Sequence, residues 1–275
     1  MSKLGRTNLK SLTETIQKVV DDAGGLWGIS LLDLDTNDSW ELNEHELFYA
    51  ASVIKVPIMI AAFAASHNGE MELSKKVVLK REDIVGGSGV LQYMTPGTSV
   101  AIYDLITLMI IQSDNTATNL LVDLIGTEKI QQEMENIGLE KSCYYHKMMI
   151  GSVDRKEFNQ ITAAEMTMML KKLVTGKIVS IHACEQMIDI MKKQQIRHTL
   201  PSKIELIDGP IIGTLKEFEI AHKTGNVLGI RHDIGIFYVG QRKMIASILS
   251  KGVGEIDSLE AFGHIGLEIY RFLKQ

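Results

Sequence analysis

The sequence predicts an α+β fold: an antiparallel sheet flanked by N- and C-terminal helices and joined to an all-helical lobe. Three observations carry this. Alternating apolar segments lie near both ends of the chain, two early and three late. The long middle is dominated by runs with helical spacing. Amphipathic helical patterns open and close the chain. Strands from the two ends are therefore expected to share one sheet. The sheet lobe would comprise residues 1–45 and 205–275, and the helical lobe residues 46–204. A cleft between lobes is the expected place for a small-molecule site.

The elements follow in order. Residues 7–22 have helical spacing, with Leu9, Leu12, Ile16 and Val19/Val20 apolar, and Gly24-Gly25 ends the run. Residues 26–35 alternate as a strand, residues 36–38 form a turn, and residues 39–43 form a second strand, giving a hairpin. An apolar run at 46–51 leads into a mostly buried helix over 53–66. Pro57 should kink that helix unless its first turn absorbs it. Residues 82–97 carry Gly86-Gly87-Ser88-Gly89 and Pro96-Gly97 and read as loop. Helices are expected at 100–112, 115–125 and 127–136, the last capped by Gly138. Residues 151–159 are polar and irregular, and helices follow at 162–174 and 181–193. Strands at 219–224, 233–239 and 244–250 precede a final amphipathic helix at 256–273, with Gly240-Gln241-Arg242 as a hairpin turn.

Composition narrows the function. The 275 residues are 45% hydrophobic and 23% charged, which suits a soluble globular protein with a full core. A net charge of −5 without a long basic run argues against nucleic acid or an anionic membrane as partner. No apolar stretch is long and charge-free enough to span a bilayer. The first residues lack the apolar region of a secretory signal, so the chain as written is expected to be cytoplasmic, or a mature form whose leader was removed. Cys143 and Cys184 do not make a disulfide framework; one bridge or two reduced thiols are both open. His146, His182 and His198 have no metal-ligand spacing, and neither metal nor cofactor is expected.

The chemistry centres on Ser52-Val53-Ile54-Lys55. A serine and a lysine three apart on a helix share one face. A serine at a helix start has free backbone N–H groups beside it and the positive end of the helix dipole, which suits a nucleophile whose attack creates an oxyanion. A lysine can take the serine proton if burial or neighbouring cations lower its pKa. Alone this pattern is weak, since serine is also a good N-cap. Two further motifs change its weight. Ser113-Asp114-Asn115 lies between two helical runs, and Lys223-Thr224-Gly225 ends a strand. A given tripeptide arises by chance in a chain of this length only a few per cent of the time, roughly. All three motifs occur here in sensible contexts.

With this set of motifs the chain resembles the serine β-lactamase and penicillin-binding superfamily, and class A most closely. The resemblance covers nearly the whole chain, including residues 98–105, 113–121 and 159–166. It implies a β-lactamase/transpeptidase-like fold and a role for each motif. Ser52 is the acylated nucleophile, Lys55 its proton acceptor or relay, and Ser113 the shuttle to the leaving nitrogen. Asn115 holds the substrate's side-chain amide and Lys55. Lys223, Thr224 and Gly225 form the motif that binds the substrate carboxylate. The backbone N–H groups of Ser52 and Asn226 make the oxyanion hole. Asp114 reads as structural, while Asn115 has the alternative of capping the following helix. Arg231 and His232 are candidates for added positive charge facing a carboxylate, with plain solvation as the alternative.

One departure bears on turnover. Class A enzymes carry a loop glutamate, followed four residues later by an asparagine, that activates the deacylating water. The matching stretch here, residues 144–159, has no such spacing; Asp154 and Glu157 are the nearby carboxylates and read as solvated charges. The expectation is a β-lactamase-like serine hydrolase acting on a small molecule, with slow deacylation. The alternatives are a D-Ala-D-Ala carboxypeptidase or esterase of the same chemistry, and a penicillin sensor that acylates without turnover.

Overall fold

The sheet sets the architecture of the computed structural model, which describes residues 9–148, 157–204 and 217–275. In chain order the elements are α1 (Leu9–Ala23), β1 (Leu26–Asp33), β2 (Ser39–Leu42), β3 (Phe48–Tyr49), α2 (Lys55–His67), β4 (Lys76–Val78) and β5 (Ser99–Ala101). There follow α3 (Ile102–Ile111), α4 (Asn115–Ile125), α5 (Thr127–Asn136), β6 (Gln160–Ile161), α6 (Ala163–Val174) and α7 (Ile181–Lys192). The chain closes with β7 (Phe218–Val227), β8 (Ile230–Val239), β9 (Arg242–Lys251) and α8 (Glu255–Leu273).

The fold is α+β, as expected, and strands from both ends of the chain share an antiparallel five-stranded sheet in the order β2-β1-β9-β8-β7. Its residues alternate between two cores, as the pleat dictates. On one face Ile29, Leu31, Ile220 and Phe237 pack with α1 and α8. On the other, Ala221, Ile234, Ile236 and Leu249 join the core of the helical region. Trp27 stacks on Phe262 of α8 with ring centroids 5.5 Å apart. From the middle of the chain, α6 reaches back to the sheet: Thr167 Oγ1 donates to Ser30 O at 3.2 Å and accepts from Ser247 Oγ at 2.8 Å.

Several expectations are corrected. Ser52 is not in the α-helix; it lies in a 3₁₀ turn, Ala51–Ile54, and α2 begins at Lys55. Pro57 is the third residue of α2, inside the first turn, where it is tolerated. The helix expected from residue 100 begins only at Ile102, because Ser99–Ala101 pairs with Lys76–Val78. The short pair β3–β6, Phe48 with Ile161 and Tyr49 with Gln160, was not foreseen. Cys143 and Cys184 are free thiols. Asp154 lies outside the described residues. Among those described, no helix is long and apolar enough to cross a membrane.

Candidate active site

Helix α2 is buried all round from Lys55 to Ala65, so a cationic side chain on it has no route to water. Lys55 therefore lies wholly inside the protein. Its ammonium donates to Ser113 O at 2.7 Å, Ser113 Oγ at 3.1 Å and Asn115 Oδ1 at 2.8 Å. Those bonds account for all three ammonium hydrogens. Burial above all, then the Lys223 charge, holds the Lys55 pKa well below the usual lysine range, while Asp114 pulls the other way.

Ser113 sits between α3 and α4 in the left-handed region, at φ 53°. A non-glycine residue pays roughly 1–2 kcal/mol for that conformation. Its neighbours hold it there. Asp114 caps α4 by accepting from Ala117 N at 2.9 Å, and its other oxygen accepts from Val90 N at 2.7 Å and Leu91 N at 2.8 Å. The loop from Gly86 to Leu91 is thus bound to the Ser113 motif. Gly89, at φ 95°, admits no side chain: a Cβ there would lie 2.3 Å from Asp114. Asp114 is structural, as the sequence suggested. Asn115 is the first residue of α4, not its cap. Its Oδ1 receives Lys55, and its Nδ2 donates to Gly86 O at 2.9 Å.

Strand β7 is an edge strand and delivers the third motif. Lys223 is also completely buried, and its ammonium donates to Ser113 Oγ at 3.1 Å and Thr224 O at 2.8 Å. Burial pushes its pKa down to about 7, against the pull of Asp233. Ser113 Oγ thus accepts from two buried lysines. A hydroxyl has two lone pairs and one proton, so its own O–H is left to donate elsewhere. Gly225 lets β7 press against the Ser52 turn: a Cβ there would stand 3.3 Å from Ser52 N and 3.2 Å from the Ala51 and Val53 side chains. The structure thus brings Ser52 and Gly225 to one junction, with Asn226 the next residue of β7, and joins Lys55, Ser113, Asn115 and Lys223 in one network.

The turn carrying Ser52 is fixed from three directions. Ala51 is held at φ 44°. Ala50 N donates to Asn159 O at 2.8 Å. His232 Nε2 donates to Tyr49 O at 2.9 Å, while its Nδ1 accepts from Ser250 N at 3.2 Å. With one ring nitrogen donating and the other accepting, His232 is neutral, and burial lowers its pKa to about 4. This corrects the reading of His232 as an added positive charge. Arg231 is turned toward α8, where Nε donates to Ser258 Oγ at 2.9 Å.

Asn119 and Asn159, within the stretches 113–121 and 159–166, were given no task by the sequence. Asn159 Oδ1 accepts from Tyr145 N at 2.7 Å and His146 N at 3.2 Å, and its Nδ2 donates to His146 O at 2.9 Å. Asn119 does the same for Met148, accepting from its N at 2.8 Å and donating to its O at 2.9 Å. The signal available in the sequence was the spacing of Asn115 and Asn119, one turn apart on a single helix face.

Known proteins resemble the chain in sequence and in fold. A β-lactamase of Rhodobacter capsulatus is 27% identical over 194 residues, a stretch covering 70% of this chain and 66% of that protein. The crystal structure of a β-lactamase from Sphaerobacter thermophilus superposes with a TM-score of 0.86 at 25% identity, covering 96% of this chain and 97% of the other. PBP-A superposes with a TM-score of 0.82 at 26% identity over 96% of each chain, and a variant of it has been solved as an acyl-enzyme complex with penicillin G. The profile of the beta-lactamase enzyme family matches residues 11–273, nearly the whole chain. By that match, and with the three motifs gathered around one buried hydroxyl, the chain belongs to the beta-lactamase enzyme family.

Proposed function

We propose that this protein is a serine hydrolase of the class A β-lactamase type, opening β-lactam amides through an acyl-enzyme at Ser52 and deacylating slowly. The observation that carries the reading is Ser113 Oγ, held between the two buried lysine ammonium groups. In its neutral form Lys55 has a lone pair with which to draw the Ser52 proton, directly or through Ser113. Ser52 Oγ then attacks the lactam carbonyl, and the N–H groups of Ser52 and Asn226 receive the oxyanion. The Ser113 O–H, both of whose lone pairs are engaged, protonates the departing nitrogen. Lys223 binds the substrate carboxylate, with Thr224 and Gly225 shaping the strand edge beside it. Asn115 holds Lys55 and contributes to the substrate amide site.

The second step needs its own proton acceptor beside the acyl carbonyl. Glu157, the described carboxylate of the 144–159 stretch, is exposed. Pre-steady-state kinetics with a penicillin test the reading. A burst equal to one enzyme equivalent should precede a slow linear phase; turnover with no burst would contradict slow deacylation. The likeness to PBP-A favours a second reading, a penicillin-binding protein that acylates with negligible turnover. It predicts the burst with no linear phase. A D-Ala-D-Ala carboxypeptidase or an esterase would instead prefer peptide or ester substrates over penicillins.

A further inference from the structure

We propose that Gln194 is a positioning residue for acylation: it fixes the end of α3 against β7, so that Ser113 Oγ meets Lys223. The proposal rests on the acyl-enzyme reading above and adds the residue that brings two of its motifs together. Those motifs arrive on separate elements, Ser113 just after α3 and Lys223 on the edge strand β7. Their contact, from Lys223 Nζ to Ser113 Oγ at 3.1 Å, joins groups 110 residues apart in sequence. A contact that close between separate elements depends on how the elements are held to each other.

Gln194 lies in the turn after α7 and is buried. Its Oε1 accepts from Gln195 N and Ile196 N, both at 3.0 Å. Backbone N–H groups can only donate, so the amide has one orientation and Nε2 is directed away from its own turn. Nε2 donates to Ile110 O at 2.9 Å and makes a longer contact, 3.5 Å, with His222 O. Ile110 is near the end of α3, shortly before Ser113, and His222 directly precedes Lys223. One buried amide thus touches both elements that carry the motifs. The last carbonyls of a helix have no partner within it. In α3, Ile110 O receives Gln194 Nε2, and Ile111 O receives Gln195 N at 3.1 Å. Gln112, next to Ser113, bonds the Gln195 side chain through its own amide.

The far end of the same segment is anchored as well. Thr199 Oγ1 donates to Asp233 Oδ2 at 2.6 Å, and Leu200 N donates to the same oxygen at 3.3 Å. His222 Nδ1 donates to Asp233 Oδ1 at 2.9 Å. Thr199, His222 and Asp233 are all buried. Residues 194–200 therefore form a strut from the end of α3 to the β7–β8 pair. Along β7 the two-residue period turns alternate backbone groups to the same edge. His222 O meets Gln194 and Thr224 O meets the Lys223 ammonium, with Asn226 next in that row. Without Nε2, α3 and β7 are free to part at the point where Ser113 Oγ bridges two ammonium groups. A displacement of about 1 Å is costly there, because proton transfer and attack require near-contact geometry.

The test is a double-mutant cycle on the acylation rate. Adduct formation with penicillin G is timed by rapid quench and intact mass for wild type, Gln194→Met and Gln194→Asn. The same two changes are then measured in the Lys223→Ala background. Asparagine keeps the amide but is one methylene shorter, so it serves where methionine unsettles the fold. The rate constant is read only from molecules that acylate, so misfolded protein does not enter it. Both variants should acylate more slowly than wild type, Gln194→Met by about 10- to 100-fold. In the Lys223→Ala background each change should cost less than about 3-fold, because the contact it disturbs is already gone. Equal slowing in the two backgrounds overturns the proposal, since it marks general damage. So do single-variant rates within about 2-fold of wild type. If wild type forms neither adduct nor product with penicillin G, the acyl-enzyme reading fails and the role of Gln194 fails with it.

Discussion

The two buried lysines share one acceptor, yet their pockets are built differently. Lys55 is enclosed by the helical region, and its three hydrogens are matched by three oxygens of the Ser113 motif. Lys223 stands on an edge strand and, among the described residues, has two acceptors, Ser113 Oγ and Thr224 O. An ammonium has three donors, so these contacts leave one for the ligand proposed above, whereas Lys55 is satisfied from within. The electrostatics divide the same way. Burial and a neighbouring cation lower the pKa of Lys55, which favours a neutral base. For Lys223 the charge of Asp233 opposes burial and keeps its pKa at about 7. In the proposed function one pocket moves a proton and the other binds an anion.

That division can be broken most severely at Lys55. Lys55→Ala should slow acylation by about 10³-fold on any substrate, lactam or neutral ester, because the general base is lost. Rapid-quench measurement of adduct formation reads this. An effect confined to carboxylate-bearing substrates would erase the distinction between the two lysines.

Next in size is the support of the first pocket. In Asp114→Ala three backbone N–H groups lose their acceptor. Stability should fall by about 3 kcal/mol, at roughly 1 kcal/mol per bond. Chemical denaturation measures it, and a loss below about 1 kcal/mol would show that the carboxylate is not what holds the loop.

At Lys223 the effect should depend on the substrate. Lys223→Ala should weaken acylation by carboxylate-bearing β-lactams about 10- to 100-fold, the value of a charge-assisted hydrogen bond. A neutral ester should be affected much less. Equal losses on both would point to general damage. The pH profile sharpens the same contrast. Lys223 is charged below about 7 and neutral above it, so kcat/KM for a carboxylate substrate should fall as pH rises through about 7. A neutral ester should lack that falling limb. The smallest effect is expected at Glu157, an exposed side chain. Glu157→Gln should leave the steady rate of penicillin turnover nearly unchanged, and accumulation of acyl-enzyme in that variant would instead make Glu157 the deacylating base.

How much of this was legible in the sequence follows from where the information lies. Ser52, Lys55, Ser113 and Lys223 could be read directly, because each motif is contiguous and its chemistry depends on residue type. The strands β7 to β9 were visible through period-two alternation, although the structure extends each to ten residues. The strand at Ser99–Ala101 was hidden, since three residues carry no period and gain their conformation from Lys76–Val78. The neutrality of His232 depends on Tyr49 O and Ser250 N, both remote in sequence. The asparagine clasps were invisible for the same reason: Asn119 reaches a backbone group 29 residues away, and Asn159 one 13 residues away. Sequence pattern thus supplied the groups proposed to react, and tertiary structure supplied the partners that set their protonation and position.

The central claim, a covalent intermediate on Ser52, is tested most directly by intact-mass measurement with a reactive penicillin. Wild-type protein should gain one adduct of the penicillin's mass, and Ser52→Ala should gain none. An adduct that survives Ser52→Ala would place the nucleophile elsewhere and contradict the account.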